Sequence, residues 1–501
     1  MEQNSKATFW FSFTILILLS VFPLWFAVYN HTALNDDTYI TLTYAKNLAA
    51  GRGFVYNHPP PTLGTTTPFL ALFVAGVSVL IPGIDIAALA VFLTACCWAG
   101  IGWVFLGFRH TWGLRPWDVV IIELVLISTG WIGFLGMEAY LFAFLLVLNL
   151  STFYAKRYFF AGLLSGFLFL TRGEGILVLG LMGALQIARL VRQKYLTLHR
   201  DDLEPVGFLG LGGLLPLCLW GIYAWFTFGQ IVPNTLAAKQ AQGQLATARP
   251  FLQRLVQEWL PSWGRALALK GRPYVSGWWL LVGLGIMIVW LKRRKWLIFL
   301  AWIVLYIVGY TALQVSAYWW YQLPVHFVAQ LLVALGLIAV VNWLRLIEAG
   351  LWVRVGLIAV VLISTIGLLT ESKIQAVRHY QGDPRAESYM RLSEWFRDNT
   401  SPEASIAYLE VGYLGYYTPN RIIDPAGLII PEVVSHVVED GFTWAFWAYQ
   451  PDYYVYLPDL DWALGGITHN PEFDRAYEPV TTLPGPRETD FTIYQRDADA
   501  E

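Results

Sequence analysis

Apolar runs of the length that crosses a bilayer recur through most of this 501-residue chain, at 8–29, 86–108, 117–134, 137–154, 159–172, 174–191, 205–228, 275–291, 296–314, 322–343 and 351–370. Hydrocarbon offers no partner for a free N–H or C=O, so such runs fold as helices that satisfy their own backbone. A crossing takes about 20 apolar residues. The expected fold is therefore a polytopic α-helical membrane protein with about 11 transmembrane helices. Composition agrees: 14% of residues are charged, against about 25% in soluble domains. A net charge of −2 leaves no basic face for neutralising a phosphate backbone, so no nucleic-acid partner is expected. The first run has only Lys6 ahead of it and lacks a small-x-small site before Asn30, which reads as an uncleaved span. Cys96, Cys97 and Cys218 all lie in apolar runs, so no disulfide framework is implied.

Lysines and arginines orient the spans, because short loops rich in them stay cytoplasmic. With the N-terminus inside, Arg109/Arg115, Lys156/Arg157, Arg189/Arg192/Lys194/Arg200, Lys292/Arg293/Arg294/Lys295 and Arg345 all fall on the cytoplasmic side. That pattern requires the short run 68–82, bounded by Pro68 and Pro82, to be a re-entrant or interfacial helix. Residues 1–370 then form a transmembrane domain, with a first external loop at 30–67 and a long external loop at 229–274. Residues 371–501 form an external, periplasmic α+β domain of a multi-pass plasma- or inner-membrane protein. In that tail, 385–399 has helical spacing with Tyr389, Leu392, Trp395 and Phe396 on one face. Segments 405–409, 421–423, 452–457 and 491–495 read as strands, and 431–438 as a short helix. No repeat of 20–50 residues is present.

In so apolar a chain the few charges beside the spans carry most of the functional information. Asp36 and Asp37 follow the first span directly. They serve either as a helix N-cap or as a general base with a supporting carboxylate, whose like charges raise each other's pKa. A third use is as a ligand pair for a divalent cation such as Mg or Mn. Glu138 opens a span, and Arg172 and Glu174 flank Gly173; these are either dipole-favoured or mutually paired charges, or the border of the same external cavity. Lys239 follows Pro233-Asn234-Thr235 near the membrane surface, as a solvated lysine or a ligand for a lipid phosphate. The cluster Tyr318, Trp319, Trp320, Tyr321 with His326 reads as an aromatic belt. There is no zinc spacing, P-loop, dinucleotide fingerprint or G-x-S-x-G elbow.

Taken together, these segments resemble the membrane-embedded glycosyltransferases of the GT-C class. Within it they resemble the bacterial terminal arabinofuranosyltransferase and protein-mannosyltransferase-like group. The match is carried by Asp36-Asp37-Thr38-Tyr39-Ile40 running on to Tyr44-Ala45-Lys46-Asn47 and Gly51-Arg52-Gly53-Phe54-Val55-Tyr56-Asn57, then Gly64-Thr65-Thr66-Thr67-Pro68. Gly136-Met137-Glu138, Arg172-Gly173-Glu174-Gly175, Pro233-Asn234-Thr235 with Lys239, Glu410-Val411-Gly412-Tyr413 and Asp424-Pro425-Ala426-Gly427 follow in order. The resemblance implies a GT-C fold, a polyprenyl-phosphate sugar donor, and transfer to a glycan or glycolipid of the cell envelope on the external face. It implies a catalytic Asp in the first external loop, here Asp36 or Asp37. Arg172, Glu174, Glu138, Lys239, Tyr44, Asn234 and Glu410 would bind the donor phosphate or line the cavity. The chain departs from the pattern at Gly173, where relatives carry proline, at Glu410, where Asp is usual, and before Tyr318, where an arginine is missing.

The implied mechanism is inverting. One aspartate accepts the proton of the attacking hydroxyl, while Arg172 and Lys239 neutralise the leaving phosphate. A transporter or flippase of lipid-linked sugars is the rival reading; its interrupted helices in matching halves are not evident in the sequence.

Overall fold

The computed structural model describes residues 2–29, 34–56, 61–193, 200–269, 272–378 and 382–497. Asn30, Asn57 and Lys194, all named above, lie outside the described residues. Every one of the eleven apolar runs is helical. Among the described residues, seven helices are long and apolar enough to cross a membrane: Lys6–Tyr29, Ile86–Gly107, Gly175–Arg192, Asp202–Phe228, Arg294–Leu313, Trp319–Leu344 and Leu351–Glu371. The other four expected spans are the helices Pro116–Thr129, Ala139–Tyr154, Tyr158–Thr171 and Gly277–Leu291, of 14 to 16 residues. At 1.5 Å per residue these measure roughly 21–24 Å, short of a core of about 30 Å. The run at 68–82 is the separate helix Pro68–Leu80, opened by its proline.

Position in the bundle does not follow hydropathy, which is 2.2 for both Trp319–Leu344 and Leu351–Glu371. Trp319–Leu344, 89% buried over its most apolar window, is the central helix, whereas Leu351–Glu371, 6% buried, lies at the edge. Small residues set the closest packing. A Cβ on Gly162 or Gly166 would strike the helix Arg200–Phe228, at Leu209 O and at the Pro216 ring. This is the small-xxx-small device that lets two membrane helices approach backbone to backbone.

The helix Leu351–Arg378 leads out of the bundle into the tail. There a five-stranded sheet has the order Arg421–Ile423, Ser405–Ala407, Tyr453–Tyr456, Asp490–Arg496, Tyr477–Pro484. The first three strands are parallel, and Asp490–Arg496 is antiparallel to both of its neighbours. Alternation along the strands divides the core. Ile406, Val455, Phe491 and Ile493 pack with Leu392 and Phe396 of the helix Ala386–Asn399. Ala407, Ile423 and Tyr454 pack with Phe446, Leu464 and Phe473 on the opposite face. The edge strand Tyr477–Pro484 was not expected from the sequence: Pro479 and Pro484 mask it, and a register shift at Pro479/Thr481 accommodates the first.

Candidate active site

The site begins with the helix Asp36–Ala49, capped by Asn35, whose side chain accepts the Asp37 amide at 3.1 Å. Two acids in its first turn and Lys46 in its last suit the helix dipole. Consecutive helical residues diverge by about 100°, so Asp36 and Asp37 face different surroundings.

Asp36 is 5% exposed. Its Oδ2 accepts the Gly412 amide and its Oδ1 the Tyr413 amide, each at 2.9 Å. The carboxylate thus caps the tail helix Gly412–Tyr417. Gly412 is required there, since any Cβ would overlap the Asp36 carbonyl. Three more bonds close the joint: Tyr56 Oη donates to Val411 O at 2.5 Å, Tyr413 Oη to Leu34 O at 2.7 Å, and Lys46 Nζ to Tyr416 O at 2.6 Å. Burial, then the charges of Glu410 and Asp37, push the Asp36 carboxyl above its ordinary range, against the pull of the two amides.

Asp37 is half-buried. Desolvation holds its carboxyl above the usual range; Lys239 and Arg385 act to lower it, and Glu138 and Asp383 to raise it. Arg385, just ahead of the helix Ala386–Asn399, forks onto Asp383 at 2.9 and 2.8 Å. Its Nη1 reaches both oxygens of Glu410, Oε2 at 2.5 Å. Glu410 thereby fixes the turn whose amides hold Asp36.

On the bundle side lies a cavity of about 550 Å³. Its wall is mostly apolar and includes Ile176, Ile231, Val232 and Leu313, which are also surface-exposed. Its polar end holds Glu138, Arg172, Glu174 and Lys239. Arg172, 5% exposed, donates from Nη1 to Glu138 at 2.7 Å and from Nε to Glu174 at 2.5 Å. Tyr310 Oη donates to the other Glu174 oxygen at 3.3 Å. Lys239, from the helix Asn234–Gly243, makes no ion pair among the described residues; its Nζ lies 5.4–5.6 Å from the ring centres of Tyr318, Trp320 and Tyr321. Leu170 and Trp220 connect this cavity to an apolar groove of about 590 Å³ lined by Phe54, Phe69, Phe73 and Phe167.

A family model described as a domain of unknown function (DUF8728) matches residues 375–494. No curated protein matches the chain. The crystal structure of ArnT from Cupriavidus metallidurans bound to undecaprenyl phosphate aligns with a TM-score of 0.55 at 14% identity, covering 98% of each chain. The apo form of the same protein aligns at 0.54, with 14% identity and 99% of each chain covered. The chain has the GT-C fold.

Within this GT-C fold the residues singled out by sequence separate into two groups. Asp37, Glu138, Arg172, Glu174 and Lys239 gather at or beside the cavity. Asp36, Tyr44, Asn234 and Glu410 do not line it, and hold loops together instead. Tyr44 Oη donates to Thr62 O and accepts the Gly64 amide, both at 2.8 Å. Asn234 Nδ2 donates to Gly427 O at 2.5 Å, on a turn whose amides are held by buried Asp424. Arg172, expected as a phosphate ligand, is already engaged by two carboxylates. Each Asp36 oxygen accepts one amide, whereas Asp37 has no such bond to the tail among the described residues. Among the described residues no group of three or more His, Cys, Asp or Glu is placed to hold a cation. Arg385 and Asp383 were not found from sequence, because a charge beside a helix start in a polar tail carries no signal of its own.

Proposed function

We propose that this protein is an integral-membrane glycosyltransferase that moves a sugar from a polyprenyl-phosphate donor to a hydroxyl of a cell-envelope glycan or glycolipid. Transfer takes place on the external face, where the tail lies. One observation carries the reading: Lys239, without an ion partner among the described residues, stands at the polar end of an otherwise apolar cavity within electrostatic reach of Asp37. An isoprenoid chain suits the apolar walls and the adjoining groove. Its phosphate meets Lys239 and the remaining donors of Arg172. The acceptor oxygen attacks the anomeric carbon, Asp37 takes its proton, and the bond from that carbon to the phosphate oxygen breaks. In-line displacement inverts the anomeric centre. Lys239 stabilises the charge that develops on polyprenyl phosphate.

The test is the protein in proteoliposomes with labelled polyprenyl-phosphate sugars and an envelope acceptor fraction. Label appearing in the acceptor, with release of polyprenyl phosphate, is the expected result. Label that stays on the lipid while crossing between leaflets would overturn the reading in favour of transport.

A further inference from the structure

The fold contains a second, polar cleft that the transfer chemistry does not use. It measures about 650 Å³ and lies between the C-terminal half of the helix Asp36–Ala49 and the tail. Lys46, Asn47, Arg52 and Tyr56 line one wall, and Tyr417 and Thr418 the other. We propose that this cleft binds an anionic saccharide, one bearing a phosphate or a carboxylate. As a subsite for the acceptor the proposal rests on the transferase reading; as a binding site it does not.

Three observations carry it. First, the cations are held in place. Lys46 Nζ spends one N–H on Tyr416 O at 2.6 Å and sits 4.6 Å from the Tyr416 ring centre, leaving two further donors. Arg52 donates from Nε and Nη2 to Asn47 Oδ1 at 3.0 and 2.8 Å, which leaves Nη1 for another partner. Asn47 is itself fixed by donating to Val55 O at 2.8 Å. Second, among the described residues no carboxylate lines the cleft. Asp85 acts on Lys46 from the neighbouring loop, and its side chain caps the next helix by accepting the Ala88 amide at 2.7 Å. Third, the rings of Tyr56 and Tyr417 line the cleft with the cations, and the Thr43, Tyr417 and Thr418 hydroxyls, whose hydrogens are engaged within the protein, keep lone pairs to accept from a sugar. The volume is ample for a short oligosaccharide. Lys46 stands nine residues beyond Asp37, about 14 Å along the helix, a spacing that suits an extended acceptor rather than the reacting sugar.

Binding of a phosphorylated pentamannose and of its dephosphorylated counterpart to the full-length protein in zwitterionic nanodiscs tests this. The phosphorylated sugar should bind saturably and more weakly as salt rises. Arg52→Gln, a change at an exposed residue, should weaken it about tenfold without altering polyprenyl-phosphate binding or the unfolding midpoint. Equal binding of the two saccharides, or an unchanged affinity in Arg52→Gln, would overturn the proposal. So would displacement of the phosphorylated sugar by nanodiscs containing anionic phospholipid, which would make the cleft a headgroup site. Failure of transfer by the wild-type protein would instead count against the Asp37–Lys239 reading and leave the saccharide measurement to decide the cleft.

Discussion

Asp36 and Asp37 share a helix turn but belong to different regions. On the tail side, the groups at the joint are paired: Asp36 with two amides, Tyr56 with a carbonyl, and Arg385 with Asp383 and Glu410. On the cavity side, Lys239 has aromatic rings but no counter-ion among the described residues, and its charge acts on Asp37. A saturated buried network fixes geometry. An unsaturated one is available to a substrate. The contrast gives the first aspartate a place in the architecture and is the ground on which the proposed transfer assigns the base to the second.

Substitutions can break that contrast. The largest effect is expected at Arg172. Arg172→Ala leaves Glu138 and Glu174 buried without their cation and should cost about 3–5 kcal/mol, read as a lowered unfolding midpoint in detergent. Lys239→Met should leave that midpoint close to wild type and lower the transfer rate about 100-fold or more; a collapse of stability instead would make Lys239 part of the framework. Gly412→Ala forces a methyl group against the Asp36 carbonyl and should destabilise the tail joint by about 1–3 kcal/mol, visible as faster proteolysis of the tail. The smallest effect concerns pH. Asp37 must be unprotonated to act as a base, so activity should fall as pH drops through its raised pKa. Arg385→Gln removes a charge that lowers that pKa, so the acid limb of the rate profile should move to higher pH, while Arg385→Lys should restore it.

The helical bundle was legible because hydropathy has a strong, local signal, and each apolar run is helical. Helix length was less so: 117–134 breaks into Pro116–Thr129 and the short turn Ile132–Phe134 around Gly130. In the tail, the strands with apolar alternation were readable, and the proline-bearing edge strand was not. That Glu138, Arg172, Glu174 and Lys239 share one cavity was legible, since intramembrane and juxtamembrane charges are few. The division of the acidic pair could not be read from the chain. Whether Asp36 or Asp37 meets Gly412 depends on a contact across more than 370 residues of sequence. Arg172 and Glu174 gave a local hint of pairing, but Glu138 joins them only through the packing of separate helices.

The most direct measurement compares Asp36→Asn and Asp37→Asn in single-turnover transfer assays, each alongside an unfolding curve and tail proteolysis. Asp37→Asn is expected to lower the rate by about 10²–10⁴ with the tail joint and stability intact. Asp36→Asn is expected to loosen the tail and lower the unfolding midpoint, with transfer reduced only in proportion. A folded Asp37→Asn protein that transfers sugar at the wild-type rate, beside a stable Asp36→Asn protein that does not, would contradict the assignment.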